Sequence, residues 1–165
     1  MKNFCLTITI AVFLLICLNE LQAQTTKTKL NQVELMKQLV GSWTCETAKD
    51  TIVNFSFKSV GTGEDCDYKC VTKGKTIIEG KQLWGYVKGI DKFIVAGINE
   101  KPDIEISAVW FTSKDKYVII PFSDISNPEK ASFKVEGDIK SPDIFIETTI
   151  VNDKPVKADT WTRVK

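Results

Sequence analysis

From Ser42 to Val164 the chain breaks into short runs of β-branched and aromatic residues, and most interruptions are no longer than a hairpin turn. The runs are Ser42 to Thr47, Ile52 to Ser59, Asp65 to Thr72, Thr76 to Val87, Lys92 to Asn99, Ile104 to Thr112, Tyr117 to Phe122, Ser132 to Glu136, Ile144 to Val151 and Ala158 to Val164. Turn residues separate them, among them Ala48 to Thr51, Gly61-Thr62-Gly63, Lys73-Gly74-Lys75, Lys101-Pro102-Asp103, Lys140 to Asp143 and Asn152 to Pro155. Such loops leave no room for helical crossovers, so the sheet must be antiparallel and meandering. Closing it on itself removes the exposed edges and predicts an all-β, up-and-down barrel of about eight to ten strands. A two-sheet sandwich satisfies the same periodicity.

One helix precedes the strands. Asn31 and Glu34 have capping-box spacing, Leu30 and Leu35 are placed as a hydrophobic staple, and Val33, Met36, Leu39 and Val40 share one helical face before Gly41. Thr25 to Lys29 is polar, residues 24–30 are expected to be flexible, and residues 31–165 form the barrel domain.

Ahead of that domain, Met1-Lys2-Asn3 carries a positive charge and Phe4 to Leu18 is apolar except for Thr7 and Thr9. A core of about 15 residues is shorter than the roughly 20 of a membrane-spanning helix, so residues 1–23 read as a secretory signal peptide cut before Gln24. The expected location is periplasmic or extracellular, with no stable membrane span once the signal is removed. About 140 residues remain, one domain's length.

Composition narrows the function classes. The chain has no His, which excludes Ser-His-Asp and Cys-His nucleophilic sites, histidine-ligated zinc and the commonest general base. A net charge of +1, from 22 basic and 21 acidic residues, lacks the concentrated surplus that nucleic acid requires. No phosphate loop or nucleotide fingerprint is present, and neither a cofactor nor a catalytic residue is expected. Of five Cys, Cys5 and Cys17 lie in the signal, leaving Cys45, Cys66 and Cys70 where disulfides persist. Cys66 and Cys70 are about 13 Å apart along a strand and cannot join each other, so a bridge from Cys45 to either is weighed against free buried thiols and a three-thiolate metal site.

Alternation assigns faces. Val53, Phe55 and Phe57 share one parity, as do Cys66, Tyr68 and Cys70; Trp84 is in phase with Tyr86, and Ile104 and Ile106 with Trp110. Phe55, Phe57, Tyr68, Trp84, Tyr86 and Trp110 are therefore the expected wall of an aromatic interior. They either line a ligand cavity or fill a packed core.

The opening Leu39-Val40-Gly41-Ser42-Trp43, a helix running into Gly-x-Trp, and the closing Trp161-Thr162-Arg163 resemble lipocalins and related calycin barrels. The nearest likeness is to lipocalin-like proteins that bacteria export. The resemblance implies that Arg163 packs over Trp43 and plugs one end of the barrel as a structural closure. Ala48 to Thr51 is too short for the helix-turn-helix lid of ten-stranded fatty-acid-binding barrels, and the Thr-Asp-Tyr motif of familiar lipocalins is absent.

Two functions follow as expectations: a carrier of a small hydrophobic or amphipathic ligand, or a non-catalytic envelope interaction module with a filled interior. A cavity above about 300 Å³ favours the first. A packed interior beside an exposed apolar patch favours the second.

Overall fold

The structure, a computed structural model, describes residues 29–100 and 104–165. The expected signal peptide, residues 24–28 and the turn at 101–103 lie outside the described residues.

Ten antiparallel strands close into one barrel in which each bonds to its sequence neighbours and the last returns to the first. The strands are β1 (Gly41–Ala48), β2 (Thr51–Val60), β3 (Gly63–Thr72), β4 (Lys75–Val87) and β5 (Lys92–Asn99) in the first half. The second half contains β6 (Glu105–Phe111), β7 (Lys116–Pro121), β8 (Phe133–Ser141), β9 (Ile144–Val151) and β10 (Lys154–Arg163). The barrel thus forms in place of the sandwich, because unbroken pairing from β1 to β10 leaves no free edge. At Lys73-Gly74 and Asn152-Asp153 both central φ angles are positive, as a two-residue type I′ turn requires.

Helix α1 (Gln32–Met36) and a 3-10 turn at Lys37–Leu39 close one end. Asn31 caps α1 by accepting from the Glu34 amide at 3.2 Å. Buried Gln32 completes the ladder at the end of β6, donating through Nε2 to the Phe111 carbonyl at 3.1 Å and accepting from the Phe111 amide at 2.7 Å. Leu30, at the end of the segment expected to be flexible, packs against the interior cluster, and Lys29 lies 3.6 Å from Asp91.

The β1–β10 seam is short. Its register pairs Trp43 with Arg163 and Thr44 with Thr162. Arg163 secures it by donating to Val40 O at 2.6 Å, Gln38 O at 3.1 Å and Pro142 O at 2.7 Å. Gly41, at φ +122°, leaves the space taken by the Arg163 guanidinium, where any Cβ would collide. Trp43 Nε1 donates to Leu39 O at 2.7 Å, tying the plug to the first strand.

Inside, rings form a connected chain. Trp84 meets Phe57 edge-on at 5.3 Å, Phe55 meets Trp161 at 4.8 Å, Phe145 stacks on Trp161 at 5.7 Å, and Trp43 meets Phe145 edge-on at 4.7 Å. These geometries favour the quadrupoles of the rings and add to their burial.

Candidate functional site

Side chains of this barrel leave a cavity of about 140 Å³ beneath the helical plug. Phe55, Phe57, Trp84, Tyr117 and Phe145 supply aromatic walls, with Leu39, Val95, Val109, Ile119 and Val135 between them. Its polar lining includes Gln82, Ser107, the Tyr117 hydroxyl and Glu147. Among the described residues no Lys or Arg lines it.

Glu147 is the chemically distinctive group. It stands on β9 in the phase of Phe145 and points inward, where Tyr117 Oη donates to one carboxylate oxygen at 2.9 Å and Trp161 Nε1 to the other at 3.0 Å. Burial raises its pKa, the two donated bonds oppose that shift, and Asp159, its Cα partner on β10, reinforces it. Asp159 is itself held by Lys157 at 2.9 Å. Glu147 nevertheless keeps part of its surface free, because it faces the cavity.

Tyr117 reaches this position through its cross-strand partner Gly137, since any Cβ there would run into the phenol ring. Buried Tyr117, Phe145 and Trp161 were missed as wall residues in the sequence, and so was Glu147. In Ile144-Phe145-Ile146-Glu147 both phases carry an apolar residue, so alternation gives no sign of which one faces inward.

The six expected wall residues divide. Phe55, Phe57 and Trp84 line the cavity. Tyr68 faces the interior, 5.9 Å from Phe55, but lines a separate, more open hollow of about 400 Å³ with Trp43 and Asn54; its hydroxyl accepts from Asn99 at 3.0 Å. Tyr86 packs 5.4 Å from Phe93 and donates to Asp91 at 2.5 Å, near the plugged end and off the cavity.

Trp110 is a correction. It lies on the outer wall with Ala108, Ile120 and Ala131, and Lys92 Nζ sits 3.7 Å over its ring. The inward phase of β6 is Ser107, Val109 and Phe111, while Ile104 and Ile106 are exposed. The connection after β7 packs against this outer wall through Ile125 and Ala131, so both faces of β6 are apolar and the parity taken from Ile104 is inverted.

Of the alternatives weighed for the cysteines, the structure has the free thiols and not the bridge: Cys45, Cys66 and Cys70 are unpaired with one another. Cys45 pairs with Val53 and Val53 with Cys70, so two strand spacings of about 4.8 Å separate Cys45 from Cys70, beyond disulfide reach. Cys66 lies farther still, in register with Phe57 at the Gly41 level. Among the described residues no group of three or more Cys, Asp or Glu is placed to hold a metal ion.

Trp43 and Arg163 meet away from the cavity lining, with the guanidinium carbon 4.1 Å from the ring centroid. Another buried carboxyl, Glu64 on β3, is 5% exposed and its Oε2 has no hydrogen-bond partner. Burial pushes its pKa up to about 7. Among the described residues no helix is long and apolar enough to cross a membrane.

No family model matches the chain, and no curated protein matches it.

Proposed function

We propose that this chain is an exported, non-catalytic, lipocalin-like barrel that binds one compact, largely apolar ligand in its interior. The observation that carries the reading is the cavity of about 140 Å³ with five aromatic walls and a carboxylate at its edge. The void is less than half of the roughly 300 Å³ from which drug-sized sites begin, and it is close to the roughly 150 Å³ apolar cavity that accommodates benzene. A fatty acid is too large for it. A single ring or a branched group of similar bulk fits.

The barrel's ends support a direction of entry. Helix α1 and Arg163 occupy one end, whereas the short helical turns after β7 pack on the outer wall rather than on the interior cluster. The ligand enters from the end opposite the plug. The void falls short of the roughly 300 Å³ expected of a carrier of a larger ligand, and Leu83, Ile98 and Ile106 leave an exposed apolar strip outside, the observation that favours the filled-barrel interaction module as the second reading.

Amide and aromatic side-chain NMR during titration with benzene-sized compounds tests the reading. Shifts concentrated at Phe55, Trp84, Val109 and Phe145 are expected. Saturation without any shift at these residues, or shifts confined to Leu83 and Ile106, would overturn it. Export is tested separately by the amino terminus of protein recovered from its own host. A start at Gln24 is expected, and retention of residues 1–23 would refute it.

A further inference from the structure

The geometry points to a small organic cation, an ammonium group carried on a compact apolar body, as the ligand of the interior cavity. This rests on the binding reading above and adds the ligand's charge. The cavity is walled by Phe55, Phe57, Trp84, Tyr117 and Phe145, whose π faces attract positive charge, and the one carboxylate among its described lining residues is Glu147. Cation and carboxylate recognition therefore converge on one void.

The hydrogen-bond arrangement agrees. Tyr117 Oη and Trp161 Nε1 each donate to one Glu147 oxygen, which sets the carboxylate's orientation and leaves further lone pairs on both atoms. Both donors are neutral. Among the described residues no basic side chain lines the cavity, and the nearby Lys157 is engaged with Asp159 at 2.9 Å. An ionised carboxylate this deep is costly unless paired, and a bound ammonium supplies the missing charge. An anionic ligand would face Glu147, with Asp159 beside it on the same face of the β9–β10 pair. A neutral ligand would gain nothing from the carboxylate's charge.

The charged and titratable groups facing Glu147 are Tyr117 from β7 and Asp159 from β10, with Lys157 beyond Asp159. Cys45 from β1 feels Glu147 and Asp159 as well. Apart from Lys157 these groups are acidic or neutral, so the local field favours a cation.

Calorimetric titration of the whole protein with benzylammonium, benzyl alcohol and benzoate tests this, because the three probes share one ring and differ in charge. Benzylammonium should bind at least tenfold more tightly than benzyl alcohol, and benzoate more weakly than both. Glu147→Gln should abolish the preference for the ammonium while retaining benzyl alcohol binding. Glu64→Gln, which removes a buried carboxyl that does not line the cavity, should leave the preference unchanged. Equal or tighter binding of benzyl alcohol by the native protein would overturn the charge inference while leaving the cavity reading intact. Loss of the preference in Glu64→Gln would also overturn it. Absence of binding by all three probes would overturn both.

Discussion

Arg163 and Trp43 are Cα partners across the seam that closes the barrel, and the guanidinium carbon lies 4.1 Å from the centre of the indole. The same guanidinium donates to the carbonyls of Gln38, Val40 and Pro142, so one side chain joins the plug, the first strand and the β8–β9 turn. Arg163→Ala should therefore lower stability by about 2–3 kcal/mol, the scale of a desolvated cation–π contact plus charged hydrogen bonds. Arg163→Lys should recover less than half of this, because an ammonium cannot reproduce the three-way fork. Chemical denaturation measures both, and equal midpoints for native protein and Arg163→Ala would show that the seam is held elsewhere.

Glu64 gives stability a pH dependence of definite sign. Its folded pKa is about 7 against an ordinary 4.5, so between those values the folded state holds a proton that the unfolded state has released. Stability from this group is full below pH 4.5, falls as pH rises, and is gone above about pH 7, a span of about 3 kcal/mol. Glu64→Gln should remove most of that slope, stabilising the protein at pH 8 and changing little at pH 4. Parallel melting curves for the two proteins across this range would contradict the assignment.

The free thiols differ in access. Cys66 is fully buried and burial pushes its pKa up to about 12, while Cys45 is buried and also raised. Cys70 is half-buried on β3. Since the thiolate is the reacting species, an aromatic disulfide reagent at pH 8 should modify Cys70 first and the other two only as the barrel unfolds. Three thiols should appear in denaturant without reductant. A count of one would mean that a pair is oxidised.

Most of the fold was legible because hairpin signals are local. Lys73-Gly74 and Asn152-Asp153 mark turns wherever they occur, and the β-branched runs between turns fall on the strands. Strand β8 extends to Ser141, beyond the expected Glu136, because Gly137, Asp138 and Ile139 continue its pairing with Glu147, Ile146 and Phe145 of β9, with a register shift only before Ser141. The site was only half legible. Phe55 and Phe57 alternate with polar Asn54, Ser56 and Lys58, so their face can be read directly. In Ala108-Val109-Trp110-Phe111 both phases are apolar, because an outer cluster covers the wall. Glu147 was hidden for the opposite reason, since only tertiary placement of Tyr117 and Trp161 makes an inward acid tolerable.

The position of the Tyr117 ring depends on a residue with no side chain. Gly137, its Cα partner on β8, gives up its side-chain space to the phenol, which then reaches Glu147 at 2.9 Å. Gly137→Ala must displace the ring or the strand, and overpacking of this kind costs about 1–3 kcal/mol. The loss has a specific origin, so it should shrink in a Tyr117→Ala background, where the space is vacant. A double-mutant cycle followed by denaturation reads this coupling directly. The ring shift should also weaken the hydrogen bond that opposes the rise in the Glu147 pKa, making Gly137→Ala lose more stability at pH 8 than at pH 4. Additive losses in the cycle would show that Gly137 is required for the backbone of β8 and not for the placement of Tyr117.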